Sequence, residues 1–273
     1  MQCQWKCKNG KRCFPAMFTG SILLKLNEPK RVLKSLMDPD SPLGQFTYEL
    51  QNVVLFQRLF DLDEQTQISL ERKIATQPWT IPHILNRTLK LIVPAQTCVF
   101  QNENIFNSQT LPLECLICMR ELSVSQGNFQ TDLFEFESFG LQEISITVND
   151  FVFPGIKMNF QDKDDTKSFG FFDAYKELIY DKDNIWHNES SFLSYQRYVD
   201  QKSFIIRIDM SNGNFRNMET ALQPTRIGQG RLKMVFDPAG TITRPNLEIL
   251  IFTKEYATIS FNALRQISRD YPL

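Results

Sequence analysis

Only two histidines occur in the 273-residue chain, and they are the first residues to consider for a catalytic or metal site. His83 and His187 lie more than a hundred residues apart; His83 follows Pro82 in a turn-like context, and His187 lies in a long segment between predicted strands. Two isolated histidines cannot form the multi-histidine metal cage of an enzymatic cupin, although cupins share the jelly-roll plan. We interpret both as surface or packed histidines.

Six cysteines raise the question of a zinc site or of disulfides. Cys115 and Cys118 form a Cys-x-x-Cys pair, but the surrounding run Leu113–Met119 is apolar and predicts a β-strand. Side chains three residues apart on a strand point to opposite faces, so these two thiols cannot share one ion. We expect buried free thiols there. A structural zinc ion needs four ligands, and we expect no metal at the early group of Cys3, Cys7 and Cys13.

A carboxylate cluster offers the alternating oxygen ligands that calcium prefers. It comprises Asp162, Asp164 and Asp165, but it lacks the glycine and the distal glutamate of a calcium-binding loop, so we interpret it as a solvated loop. The sequence contains neither a Gly-x-Ser-x-Gly elbow nor a phosphate-binding Gly-Lys-Ser loop. It therefore predicts no catalytic, cofactor-binding or metal-ligating residues and does not favour an enzyme.

Composition narrows the classes of partner. The formal net charge of -1 gives no long-range attraction to nucleic acid or to an anionic membrane. The one dense basic cluster, Lys6–Arg12, is short, and no run of about 18 apolar residues forms a membrane span. The polar amino terminus does not resemble a signal peptide. We expect a soluble, intracellular protein with no direct nucleic-acid binding, and its 23 phenylalanines favour the half-buried surface of a β-sheet.

Two β-strands are predicted in the last fifth of the chain. Apolar and charged residues alternate in Arg231–Phe236, which is the period of a strand with one buried face. A turn at 237–240 then reverses the chain. The run Leu247–Tyr256 is apolar on both faces around Glu248, which is typical of a strand in the middle of a packed sheet.

Other elements are predicted upstream. Asp63 or Thr66 is suited to cap a surface helix that runs through about Thr76, before Pro78. A second helix, starting near Thr166 or Ser168, is indicated by the helical spacing of Phe172, Tyr175, Leu178 and Ile179. Further strands are predicted at 22–26, 46–60 (one long strand or a hairpin), 88–93, 115–119, 144–148, 151–153 (ending at Pro154-Gly155) and 204–208.

The closing segment, Arg231 to Asp270, resembles the last strands of the double-jelly-roll major capsid proteins of Polinton/Maverick elements, adintoviruses and related animal genome insertions. The resemblance rests on a short alternating strand, a loop and an aromatic strand that ends in the acidic-aromatic step Glu255-Tyr256. Phe136–Asp150 resembles the family's segment that leads into an early strand of the second roll. Glu103–Pro112 resembles the junction between the rolls. The segments agree with the family in order and spacing and span most of residues 100 to 273.

The resemblance implies a mainly β protein, an antiparallel jelly-roll sandwich with one or two short helices. One near-complete roll would follow the tail end of a preceding roll. We predict a disordered cysteine-rich tail at 1–16, a partial first roll at 17–100 and a second roll at 101–273. The second roll has an insertion at 156–203, with an aromatic-polar run Ser191–Tyr198. This insertion either makes contacts at the top of a capsomer or forms a lid over the sandwich.

For function, the resemblance implies a structural, hexon-like capsid protein that self-assembles into trimeric capsomers of an icosahedral shell. It would lie in the virion when assembled and otherwise in the cytoplasm or nucleus, and a penton-like minor capsid protein is an implied partner. Family members carry a complete first roll, whereas about 100 residues precede the junction here. Either a partner chain completes that roll, or the chain is a truncated or domesticated derivative. A second hypothesis is a host β-sandwich module that binds a protein or glycan through 156–203.

Overall fold

The structure is a computed structural model in which eleven strands and four helices are described. It describes residues 2–3, 20–21, 27–28, 47–54, 63–106, 111–127, 131–148, 151–160, 170–179, 193–200, 202–210, 228–238, 243–262 and 267–269. The strands are β1 (Gln2–Cys3), β2 (Gly20–Ser21), β3 (Trp79–Val93), β4 (Val99–Phe106), β5 (Glu114–Glu121), β6 (Leu141–Val148), β7 (Phe151–Asn159), β8 (Ile205–Asp209), β9 (Gly230–Phe236), β10 (Leu247–Phe261) and β11 (Ile267–Arg269). The helices are α1 (Glu64–Thr76), α2 (Leu122–Ser125), α3 (Phe171–Ile179) and α4 (Tyr195–Asp200).

Nine strands form two antiparallel sheets that pack as a β-sandwich. The first sheet has the order β3-β10-β5-β8, with β11 beside the end of β10, and the second has the order β4-β9-β6-β7. Among the strands from β3 to β10, β6 and β7 are the one consecutive pair that hydrogen-bond to each other. Every other connection in that series therefore crosses from one sheet to the other.

Strict alternation of side chains builds the core between the sheets. Ile146, Leu232 and Met234 of the second sheet are fully buried, and Ile206 and Ile251 of the first sheet face them from the other side of the same core. Each large aliphatic side chain buried in this way contributes roughly 1.5–3 kcal/mol of transfer free energy. The alternating pattern therefore accounts both for the strands and for which face of each sheet turns inward.

Two helices cover the side of the sandwich where β7 and β8 form the sheet edges. α3 contacts both of these strands and also α4. Phe171 and Ala174 of α3 and Tyr198 of α4 are buried in the core, and the ring of Phe171 lies 5.2 Å from that of Phe160 and 5.4 Å from that of Phe204. The described helices of the predicted insertion are thus packed as a lid on the sandwich.

The mainly β, antiparallel character expected from the sequence is confirmed, and so are several individual elements. Asp63 caps α1 by accepting a hydrogen bond from the Thr66 amide at 2.8 Å, and the helix ends at Thr76, before Pro78. α2 and α4, of four and six residues, add to the one or two helices expected. The predicted strands at 115–119, 144–148, 204–208, 231–236 and 247–256 lie in or overlap β5, β6, β8, β9 and β10.

Several boundaries differ from the sequence expectation. The strand predicted at 88–93 is the end of β3, whose full length pairs with β10, so the sandwich includes residues well before the predicted boundary at 101. β7 does not end at Pro154 but continues to Asn159, because a register shift against β6 absorbs the irregular stretch. β9 and β10 lie in different sheets, so the connection between them crosses the sandwich.

Three further differences concern the amino-terminal part and α3. Residues 47–54 form no strand, and none of their side chains is buried in a core. Residues 55–60 of the same predicted strand lie outside the described residues. Gln2–Cys3 pairs with Gly20–Ser21 where disorder was predicted for residues 1–16, while the strand predicted at 22–26 lies outside the described residues. α3 begins at Phe171 and buries Phe171 and Ala174. Of the predicted stripe, Tyr175 and Leu178 pack against the core, whereas Phe172 is 45% exposed.

Candidate interaction face

The outward side of the first sheet, called here the outer face, carries two groups of paired charges with apolar side chains between them. Leu247, Ile249 and Ile251 point from β10 into the core, so the alternate residues of β10 point outward. The register places these outward residues beside those of β5: Glu248 beside Arg120, Leu250 beside Cys118, Phe252 beside Leu116 and Lys254 beside Glu114.

A buried ion pair occupies one end of the outer face. Arg120 donates from Nε to Oε2 of Glu248 at 2.7 Å, and its Nη2 forms an ion pair with the same oxygen at 2.5 Å. Both side chains are less than one tenth exposed. The Nζ of Lys90 lies 3.7 Å from the other oxygen of Glu248. Arg120 also donates from Nη1 to the carbonyl of Leu133 at 2.7 Å. Buried charges are tolerated when they are paired and hydrogen-bonded in this way.

A second ion cluster lies toward the other end of the outer face, around Glu114. Arg207 and Lys254 donate to its two oxygens at 2.9 and 3.0 Å. Burial alone would raise the pKa of Glu114, but the hydrogen bonds from these two cations outweigh it and hold the pKa below its ordinary value. Arg207 also donates to the carbonyl of Glu177 at 3.0 Å, which connects α3 to this face.

Residues 131–137, called here the strap, cross part of the outer face. Phe136 is 7% exposed and packs against Cys118, Leu250 and Ile205. Its amide donates to the carbonyl of Lys202 at 2.7 Å. The Glu137 amide donates to a β5 carbonyl at 3.1 Å. The strap is therefore fixed to the sheet by its backbone and by one buried ring.

The strap presents an exposed aromatic ring within an acidic surface. Phe134 is 78% exposed, and its amide donates to Oδ1 of Asp132 at 2.9 Å, which fixes the turn. Lys202 lies 3.3 Å from Glu135 and 3.1 Å from Glu137. The hydrogen bonds that Lys202 donates to Glu137 and Glu135 raise its pKa. The strap carries three carboxylates, Asp132, Glu135 and Glu137, and Lys202 pairs with the last two, so negative charges outnumber positive ones there.

A further carboxylate, Glu255, faces the opposite way, into the core, and is 3% exposed. The Nε of Arg87 lies 3.2 Å from its Oε2, without the alignment of a hydrogen bond, and the Thr253 hydroxyl donates to its Oε1 at 3.3 Å. Desolvation raises the pKa of Glu255, and the Arg87 charge offsets this only in part.

One buried arginine joins the loops at the end of the sandwich where β10 begins. Arg244 is 2% exposed and donates to the carbonyls of Thr97 at 2.9 Å, of Phe139 at 3.4 Å and of Asp237 at 3.4 Å. Its guanidinium lies 4.6 Å from the centre of the Phe236 ring. These partners belong to three different loops and a strand, so one side chain sets their relative positions.

The structure separates the residues that the sequence singled out for chemistry. Cys115 and Cys118 lie on opposite faces of β5, both buried, which confirms the sequence interpretation. Burial raises the pKa of both thiols, that of Cys118 to about 12. His83 lies in β3, in register with Ala257, and not in a turn, because Pro82 is accommodated within the long β3–β10 pairing. Cys3 lies in β1, and the remaining candidates lie outside the described residues: Cys7, Cys13, Asp162, Asp164, Asp165 and His187.

Within the described ranges no group of three or more His, Cys, Asp or Glu side chains is placed to hold a metal ion. None of the described helices is long and apolar enough to cross a membrane. The sequence pattern alone did not predict the pairing of Arg120 with Glu248. A signal was present, since Glu248 interrupts one apolar run, Arg120 follows another, and the two charges are opposite.

No family model matches the sequence, and no curated protein matches it either. The geometry of the sandwich and of its outer face is therefore the basis for assigning a function.

Proposed function

We propose that this protein is a structural protein of the double-jelly-roll capsid type, which acts by self-assembly into trimeric capsomers. The observation that carries the proposal is the strand order. Numbered from one to eight, the strands β3 to β10 form sheets of order 1-8-3-6 and 2-7-4-5. An eight-stranded pair of sheets built from two Greek keys in this way supports a jelly roll, the architecture of many viral capsid domains.

The position of the resembling segments adds to this support. Glu103–Phe106 falls in β4, Leu141–Val148 in β6, and the closing segment supplies β9 and β10. All four strands belong to one sandwich, and β10 lies in its centre with β3 on one side and β5 on the other. The segments that carry the family resemblance are thus neighbours in space as well as in order.

The surface offers apolar side chains of the kind that an assembling protein buries. Phe134 is 78% exposed, Ile92 is 59% exposed and Phe252 is 39% exposed. Large exposed apolar residues mark interaction sites when they cluster, and stable assemblies bury roughly 2,000 Å² or more. In this proposal the shell-forming protein works through contact area and shape.

The test is the assembly state of the full chain. Sedimentation velocity and negative-stain electron microscopy should show trimers, and larger shells at higher protein concentration. A chain that stays a monodisperse monomer at the highest attainable concentration would contradict the proposal.

A second candidate function is a β-sandwich binding module that grips a protein or glycan through residues 156–203. It is favoured by the ring of Phe172, which is 45% exposed on α3, lies 5.7 Å from that of Tyr195 and has the Lys176 ammonium at 5.5 Å. Exposed aromatic faces stack on sugar rings and on side chains. Two results together would favour this candidate: the chain does not assemble, and it binds a glycan array. Phe172→Ala should then abolish the binding.

A further inference from the structure

The strap and an apolar patch on the same outer face have complementary surfaces. The patch is centred on Phe252, which is 39% exposed and lies beside Leu116 in the register. Lys254 is two residues further along β10, and Lys90 lies diagonally across on β3. The side chains of these two lysines are 47% and 61% exposed.

Charge distinguishes the two surfaces. The patch has an apolar centre flanked by two lysines, whereas the strap has an apolar apex, Phe134, flanked by carboxylates. Each lysine of the patch shares its carboxylate partner with an arginine. Lys90 and Arg120 share Glu248, and Lys254 and Arg207 share Glu114. The patch therefore keeps excess positive charge, while the strap has excess negative charge. Opposite potentials around two apolar centres are the pattern of matched interface surfaces.

The patch is not covered by the strap of its own chain. Phe136 is the strap residue that packs on the sheet, and it covers Leu250 and Cys118. Phe134 remains 78% exposed, so its ring is free to enter another molecule.

We propose that the strap of one copy binds the patch of a second copy, with the Phe134 ring on Phe252 and the strap carboxylates facing Lys90 and Lys254. This inference rests on the proposed self-assembly and names the surfaces that carry it. Because strap and patch are different surfaces, the contact can repeat head to tail from copy to copy, and such heterologous contacts form a closed ring when the rotation between copies closes. A three-membered ring is the outcome that a trimeric capsomer requires.

The experiment uses the full chain with one substitution on each surface and one matched control. Phe134→Ser removes the apex of the strap, and Phe252→Thr removes the centre of the patch while keeping a residue suited to a strand. Phe151→Ser is the control, because Phe151 is 70% exposed, close to the 78% of Phe134, but lies on β7 of the other sheet. Sedimentation velocity should show association weakened about tenfold or more by each of the first two changes and unchanged by the control.

Mixing the two defective variants gives a second readout. The Phe134→Ser chain keeps its patch and the Phe252→Thr chain keeps its strap, so an equimolar mixture should form a heterodimer that neither variant forms alone. Raised salt should weaken the wild-type association, since exposed charges are screened. Circular dichroism of each variant establishes that it is folded.

Failure of this inference and failure of the proposed function give different results. If the wild-type chain assembles and neither substitution weakens assembly, or the control weakens it equally, the strap-to-patch contact is wrong while self-assembly stands. If the mixture does not form a heterodimer although both variants are folded, the contact is also wrong. A wild-type chain that remains a monomer would overturn both proposals.

Discussion

Arg120 and Glu248 lie directly opposite each other on β5 and β10, and one oxygen of the glutamate accepts a hydrogen bond from Nε of the arginine and lies 2.5 Å from its Nη2. The two residues are 128 positions apart in sequence. The third donor nitrogen of Arg120 holds the carbonyl of Leu133 in the strap. The pair therefore connects the sheet to the segment that displays Phe134.

Glu248→Ala is expected to lower the free energy of unfolding by about 3–5 kcal/mol, because it leaves the buried Arg120 without its carboxylate. Urea denaturation followed by circular dichroism measures the loss. The double variant Arg120→Leu with Glu248→Leu should be clearly more stable than Glu248→Ala, since it replaces two buried charges with apolar groups. Equal losses in the two variants would mean that the pair is not buried.

Arg244→Lys is expected to lower the free energy of unfolding by at least about 2 kcal/mol. A lysine keeps the charge, but its compact ammonium cannot serve three loop carbonyls and lie flat on Phe236 as the guanidinium does. Thermal unfolding provides the measurement. Lys233→Ala, at an exposed position of β9, is the control and should stay within about 0.5 kcal/mol of wild type.

Glu114 and Glu255 should give the stability opposite dependences on pH. The pKa of Glu114 is lowered in the folded chain, so its contribution is present above its ordinary pKa of 4.5 and is lost as the pH falls through the folded value. The pKa of Glu255 is raised, so its contribution is fully present below the ordinary pKa and is lost as the pH rises through the folded value.

Urea denaturation from about pH 3 to about pH 7 tests both signs. Glu114→Gln should remove part of the acid-side loss of stability. Relative to wild type, Glu255→Gln should become more stable as the pH rises. Parallel pH profiles for wild type and Glu255→Gln would refute the burial of that carboxylate.

Two neighbouring phenylalanines of α3 should differ sharply in their effect on stability. Phe171 is 4% exposed and Phe172 is 45% exposed. Phe171→Ala is expected to cost about 3–5 kcal/mol because it leaves a cavity beside Phe160 and Phe204. Phe172→Ala should cost less than about 1.5 kcal/mol, the scale of an aromatic edge contact. Chemical denaturation of the two variants measures the loss in the free energy of unfolding. Similar losses from both would mean that α3 does not pack on the core through Phe171.

The elements that the sequence predicted well are those with a strong local pattern. Arg231–Phe236 alternates strictly and becomes β9, with every second side chain buried. The cap at Asp63 and Pro78 beyond the end fix α1 from both sides. Cys115 and Cys118 could be placed on opposite faces because a strand repeats every two residues.

Predictions failed where distant residues decide the outcome. The alternation at 46–50 resembles a strand, but residues 47–54 form none. Pro154-Gly155 predicts the end of a strand, yet β7 continues to Asn159 through a register shift against β6. His83 was expected in a turn because Pro82 precedes it, but pairing with β10 keeps both residues in β3.

The sequence by itself determined that this chain forms antiparallel strands with one or both faces buried, because side-chain alternation is a local property that each segment carries alone. Only the tertiary structure decided which strands are neighbours, that 79–93 belongs to the same sandwich as 247–261, and that Arg120 meets Glu248. These pairings join residues more than a hundred positions apart, and their stability comes from burial and charge neutralisation that exist only after both sheets have formed.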